Sequence, residues 1–191
     1  MIQEIIVTTT NKDGSTHIAP MGIREESDLI VIAPFKPSAT LKNIQRNKTA
    51  VVNRIDDVRV FAGCLTGRKN WPLAPAEKIK EHRLKGALSH LELGLEKFED
   101  DDLRPRFYCK QIVEMNHKPF QGFNRAQSAV LEAAILVSRL DMLTQEKIEQ
   151  ELEYLMIAID KTAGENEKIA WGWLMERIES YRQESAKEKT A

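Results

Sequence analysis

Ser38, Thr40 and Lys42 stand directly behind Pro37, at the end of the apolar run Asp-Leu-Ile-Val-Ile-Ala-Pro. Proline followed by serine is helix-entry chemistry: a fixed φ, then a hydroxyl able to accept from the free amides of a first turn. A helix starting near Ala39 points those amides back at the strand end. Amide dipoles, two hydroxyls and an ammonium gathered at one spot suit a phosphate. The same residues also make an ordinary capped crossover helix, and short motifs of this kind often mislead.

Other polar patterns are less directed. Arg125, Glu132 and Arg139 are spaced by seven, nearly two helical turns, so they share a stripe with about 10 Å between neighbours. On an otherwise apolar helix such charges need partners. Either they pair with one another and with strand ends, or one arginine meets an anion bidentately. His82, His90 and His117 lack the pattern of a zinc site. Asp100-Asp101-Asp102 has neither the spaced oxygens nor the closing glutamate of a calcium loop and reads as a solvated turn. No GxSxG elbow, Cys-His signature or GxGxxG after a strand occurs. Nothing indicates nucleophilic or hydrolytic catalysis.

The elements that carry these residues are mostly short strands. Residues 2–10 read as a strand, Asn11 to Gly14 as a hairpin turn, Ser15 to Arg24 as the returning strand, and Asp28 onward as a third. After the helix near Ala39, Thr49 to Ile55 and Arg59 to Leu65 read as two more strands. Gly67 to Pro75 is a loop, and Ala76 to Lys85 has helical charge spacing. Ala87 to Phe98 alternates, with Leu91, Leu93 and Leu95 against His90, Glu92, Gly94 and Glu96, so it reads as a half-buried strand. Arg106 to Glu114 pairs back and completes a barrel. From Arg125 the apolar period becomes helical. Asn124 caps a helix that is apolar almost all round, and Thr144 caps a second, Gln145 to Thr162. Gly164 ends that helix as a C′ residue. Glu165 to Arg182 is a third helix, and the lysine-rich tail after Ser185 is frayed. The expected fold is α+β: a mostly antiparallel split β-barrel over 1–120 with a C-terminal three-helix subdomain over 121–191.

Four stretches carry a resemblance: His-Ile-Ala-Pro-Met-Gly-Ile (His17 to Ile23), Ala33-Pro34-Phe35 with Thr40, Asn43 and Ile44, Val51 to Asp57, and Phe123 to Leu140. Together they resemble the FMN-binding split-barrel superfamily of flavin reductases and pyridoxamine phosphate oxidase-like proteins. Within it the chain looks like a member of an archaeal and methylotroph-associated family. The resemblance implies a homodimer with FMN at the interface, each site completed by both chains. It implies a phosphate grip from Ser38, Thr40, Lys42 and Asn43. The ring would lie along His17, Ala19, Pro20 and Met21, where small residues and proline leave room for a flat group. Asn53, on the neighbouring strand, would offer amide hydrogen bonds. Without the resemblance, a lone strand histidine such as His17 reads as structural. The helical third departs from the better-known flavin reductases, which weakens transfer of their nicotinamide site.

Composition bounds the function. The chain has 191 residues, with 28 basic and 29 acidic side chains and a net charge of −1. That balance gives no nucleic-acid or membrane footprint, and no apolar run approaches the roughly 18 residues of a bilayer span. The start, Met-Ile-Gln-Glu-Ile-Ile-Val, lacks the pattern of a signal peptide. Cys64 and Cys109 form no metal-type pair and read as inert thiols in a reducing cytosol. A flavoprotein needs no acid–base constellation of its own, since hydride or electron chemistry belongs to the cofactor. The leading expectation is therefore an FMN-dependent oxidoreductase acting on a small molecule, with the family's occurrence suggesting one-carbon (pterin) metabolism. Two other readings stand beside it: FMN held without turnover, as carrier or sensor, and a cofactor-free dimeric scaffold.

Overall fold

Gly14 adopts φ +85°, a backbone that L side chains avoid. Beside it, Asp13 accepts from the backbone N–H and the hydroxyl of Ser15 at 3.0 and 2.6 Å. This turn joins β1 (Ile2–Thr10) to β2 (Thr16–Glu26), paired antiparallel from Ile2↔Arg24 to Thr10↔Thr16. The computed structural model describes residues 1–188. In it the chain continues through β3 (Leu29–Ile32), α1 (Ala39–Asn47), β4 (Thr49–Arg54), α2 (Arg59–Leu65), β5 (Leu73–Pro75) and β6 (His82–Leu84). Then come β7 (Ser89–Glu99), β8 (Arg106–Asn116), α3 (Arg125–Val137), α4 (Gln145–Thr162) and α5 (Glu165–Glu188).

Six strands close a barrel in the order β1-β2-β3-β8-β7-β4, and every neighbouring pair is antiparallel. Alternate residues face inward and fill it: Ile5 and Val7, Ile23, Ile32, Val52, Leu91 and Leu93, and Phe107. Burying a side chain of that size contributes about 1.5–3 kcal/mol. α1 adds Leu41 and Ile44 to this core. The expected mixed α+β barrel is present.

One outer face of the barrel is also buried. The segment that includes β5 and β6 lies across β1, β4 and β7, and its polar groups bond to outward-facing side chains. Thr8 donates to the His82 carbonyl at 2.6 Å. Leu84 N–H donates to Asn53 Oδ1 at 2.7 Å. The amides of Glu77, Lys78 and Ile79 all donate to the Glu92 carboxylate. Ala76 to Lys85, expected to be helical, instead bends around that carboxylate and continues as β6, whose His82–Leu84 pairs with Leu73–Pro75 of β5. His90 and Glu92, which alternation placed on a polar face, are fully buried.

The chain divides into two compact units. The barrel unit comprises Met1–Asp56 and Asn70–Phe120, while the helical unit comprises Asp57–Lys69 and the chain from Gln121. Arg59 to Leu65, expected to be a strand, is the helix α2. Val58 and Ala62, four apart, enter the helical core together with Ala129, Ala133, Leu174 and Ile178. Asp57 starts the turn by accepting from Arg59 N–H at 3.1 Å and from its guanidinium at 2.9 and 2.7 Å. Tertiary packing overrides the strand propensity of Val60 and Phe61 here.

Asn124 caps α3 as expected, accepting from Ala126 N–H at 2.8 Å and Gln127 N–H at 3.4 Å. The helix is not buried all round. Arg125, Ser128 and Glu132 are exposed along one side, and Arg139, in the turn beyond Val137, is exposed as well, so all three charges lie in solvent. Gly164 does not end α4 in the left-handed region. Ala163 leaves the helix extended, and Gly164 opens α5, its N–H donating to Glu167 Oε2 at 3.0 Å. The tail expected to fray after Ser185 stays helical through Glu188, and its remainder lies outside the described residues. Cys109 is buried and Cys64 half-buried; burial pushes their thiols up to about 12 and about 11.

Candidate functional site

β3 ends at Ile32, and the chain passes through Ala33 to Pro37 into α1. This passage is fixed from the β7–β8 turn. Leu103 C=O accepts from Lys36 N–H at 2.9 Å, Asp100 pairs with Lys36 Nζ at 2.6 Å, and Arg104 donates to Ala33 C=O at 3.2 Å while lying over the Phe35 ring at 4.5 Å. The entry to α1 is therefore held rigidly. Ser38 is the N-cap, with extended backbone, and its hydroxyl accepts from Leu41 N–H at 3.2 Å. The amides of Ala39 and Thr40, the first two helical positions, have no carbonyl to bond within the helix.

Thr40 is 1% exposed and its hydroxyl makes no hydrogen bond among the described residues, yet that oxygen is not one of the buried atoms left without a partner, so it lies at the surface of the helix start. Lys42 is exposed and forms no ion pair there. Ser38, Thr40 and Lys42 thus stand at one helix start with a hydroxyl, two amides and an ammonium to offer.

Asn43 is committed elsewhere. It is buried and donates to Thr9 Oγ1 at 3.0 Å and Asn11 Oδ1 at 2.8 Å, while accepting from Arg46 at 2.8 Å. These bonds tie α1 to the end of β1, and Thr9 is the cross-strand partner of His17. Asn53 is committed as well. At 0% exposure, its amide nitrogen faces Ile6 C=O at 3.2 Å and Thr8 Oγ1 at 3.1 Å, and its oxygen accepts from Leu84. It pins β6 to the barrel and has no amide atom left for a ring.

His17, Ala19, Pro20 and Met21 are half-buried along β2, opposite Thr9, Val7, Ile6 and Ile5. β2 pairs with β3 only through Ile23–Glu26. Pro20 has no N–H to donate to a neighbouring strand.

Sequence reasoning missed a second polar arrangement. His90 Nε2 lies 3.1 Å from Glu92 Oε1, and His90 Nδ1 lies 2.8 Å from His117 Nε2. The two rings are within 5° of parallel. Strand alternation did put His90 and Glu92 on one face. The pairing of β7 with β8, which sets His90 opposite Met115 near His117, was the missing signal. Among the described residues no group of three or more His, Cys, Asp or Glu is arranged to hold a metal ion.

Comparison with known proteins follows the same division of the chain. The barrel and helices superpose on an FMN-bound protein of Methanosarcina mazei, MM1853, with a TM-score of 0.79 at 22% identity, covering 92% of this chain and 94% of that one. The 2-nitrobenzoate 2-nitroreductase NbaA of Pseudomonas fluorescens gives 0.52 at 24% identity, over 60% of this chain and 64% of that one. The styrene monooxygenase flavin reductase of Pseudomonas putida S12 gives 0.51 at 12%, over 61% and 82%. These likenesses establish a flavin reductase-like fold. No curated protein matches the sequence. No helix among the described residues is long and apolar enough to cross a membrane. Residues 3–118 match the model of the DUF447 N-terminal domain and residues 124–176 the second DUF447 model, both described as protein of unknown function. The chain belongs to the DUF447 family.

Proposed function

We propose that this protein binds FMN and acts as a flavin-dependent oxidoreductase on a small molecule. The observation that carries the reading is the hydroxyl of Thr40, which reaches the surface without a partner among the described residues, beside the free amides of a serine-capped helix. An oxyanion there would accept from Thr40 and from the amides of Ala39 and Thr40, with the positive end of the helix favouring its charge. Lys42 adds a cation at longer range, and Ser38 and Asn43 hold the helix in place. The fit of these residues to a phosphate monoester is good.

The residue types along β2 support the rest of the placement. A flat ring can lie against the backbone of His17 to Met21, where Ala19 is small and Pro20 presents no donor. Bound FMN would supply hydride or electron transfer, and the chain need only grip, orient and shield it. The fold shared with an FMN-bound protein, a nitroreductase and a flavin reductase supports this reading. We propose further that the protein works as a homodimer with FMN at the interface. A place in one-carbon metabolism rests on family occurrence alone.

The test is direct. Purified full-length protein mixed with FMN and passed over a desalting column should retain flavin absorbance at one FMN per chain, and ultracentrifugation should give twice the chain mass. Protein that elutes colourless after saturation with FMN overturns the reading. Bound FMN that no reductant or substrate bleaches would instead favour a carrier.

A further inference from the structure

Glu92, His90 and His117 form a line from the protein interior to solvent. Glu92 is fully buried, yet its carboxylate receives the backbone N–H groups of Glu77, Lys78 and Ile79, the latter two at 2.8 and 3.0 Å. Burial pushes its acidity one way, but the amides and the His90 N–H outweigh it and keep the carboxyl below its ordinary value. An ionised Glu92 only accepts, so His90 Nε2 carries the proton between them. His90 Nδ1 is then bare, and His117 Nε2–H must donate to it across 2.8 Å. This fixes the tautomer of both rings and leaves the lone pair of His117 on Nδ1.

That lone pair is available. Among the described residues His117 Nδ1 makes no hydrogen bond, and the only buried side-chain nitrogens or oxygens without one are Arg83 Nε and Trp171 Nε1. His117 Nδ1 therefore reaches solvent. Burial first, then the charge of Arg83 and the neighbouring His90 ring, hold the ring neutral more firmly than usual, while Glu77 opposes them. Arg83 itself carries a buried Nε–H with nothing to bond, and its other donors include one to Leu84 C=O at 3.3 Å.

We propose that His117 is the proton acceptor of a site separate from α1, oriented by His90 and Glu92, and that Arg83 holds the carboxylate or phosphate group of its small-molecule substrate. In the step, the substrate's O–H or N–H bond breaks and its electron pair stays on the heteroatom. The proton forms a new bond at His117 Nδ1 and later passes to water. His117 keeps its Nε2–H on His90, and His90 keeps its Nε2–H on Glu92. The buried carboxylate offsets the positive charge that appears on the imidazole. His90 and Glu92 are positioning residues, and neither is part of the phosphate grip, so this site stands or falls independently of FMN.

The test is long-range 15N–1H NMR of the full chain. In the wild type at pH 7, both His90 and His117 should appear as Nε2–H tautomers, and His117 should titrate below an ordinary histidine. Relayed through the two hydrogen bonds that His90 makes, a buried carboxylate is worth about one pH unit to the outer ring. Glu92→Gln should therefore lower the His117 midpoint by about that much, a roughly tenfold loss of proton affinity. A wild-type His90 carrying its proton on Nδ1, or a midpoint unmoved by Glu92→Gln, overturns the oriented triad; the first observation needs no variant to fold. Sodium phosphate and sodium acetate are then titrated in. A saturable rise in the His117 midpoint that Arg83→Gln abolishes supports the anion subsite. No response, or an equal response in Arg83→Gln, removes it.

Discussion

Thr40 and Asn43 lie three residues apart on the same helix and are both buried, but their hydrogen bonds separate them. Asn43 spends its amide on Thr9, Asn11 and Arg46, so replacing it disturbs the fold. Thr40 spends nothing. Thr40→Val keeps the shape and removes a hydroxyl that the protein leaves unpaired, so unfolding by urea should be unchanged or slightly harder. FMN binding should fall about tenfold to a hundredfold, since a hydrogen bond to a charged group contributes roughly 1.5–3 kcal/mol. Riboflavin, lacking the phosphate, should bind both proteins alike. Equal weakening of FMN and riboflavin in a fluorescence titration would put the phosphate elsewhere. Lys42→Ala should show the steeper salt dependence, because an exposed ammonium is readily screened.

Elements were legible where their signals were local. β1, β2, α1, β4 and α4 follow from alternation, the Asp13-Gly14 turn and the caps Ser38 and Thr144. Ser38, Thr40 and Lys42 were legible for the same reason: a helix start is written in consecutive residues. Signals that depend on distant partners were not. Arg59 to Leu65 has strand composition, but its Val58 and Ala62 find their cover on α3 and α5. Asn53 looked available on a strand until Leu84, far along the chain, claimed its oxygen. Caps give an element-level prediction. Asn124 both caps α3 and donates to Thr162 C=O at 3.1 Å, joining the start of α3 to the end of α4. Asn124→Ala should destabilise the helical unit by about 1–2 kcal/mol, read as earlier loss of Trp171 and Trp173 fluorescence in urea. An unchanged midpoint would mean Thr162 Oγ1, 3.1 Å from Ala126 N–H, suffices as the cap.

At the scale of the molecule, acid should be destabilising in two stages. His117 is held below its ordinary value of 6.5 and Glu92 below 4.5. Each therefore binds protons in the unfolded chain before it does in the folded one, and stability falls as pH drops through each window. Urea midpoints should decline from pH 7 towards 5 and further below 4.5; a rise over the first interval would contradict the neutral His117. The path of the chain between the units makes the final prediction. It leaves the barrel at Asp56, returns at Asn70 and leaves again after Phe120, so the first 120 residues carry α2 but none of the helices it packs against. A protein ending at residue 120 would keep the barrel core and expose Val58 and Ala62, which the full chain buries. It should bind an apolar dye such as ANS and aggregate, while retaining the near-complete barrel circular dichroism of β1 to β8. Replacing residues 57–69 with a short polar turn in the same truncation should restore solubility, because the exposed apolar surface belongs to α2. If the plain truncation is soluble and leaves the dye dark, the buried state of α2 does not depend on α3 to α5, and Arg59 to Leu65 has repacked without them.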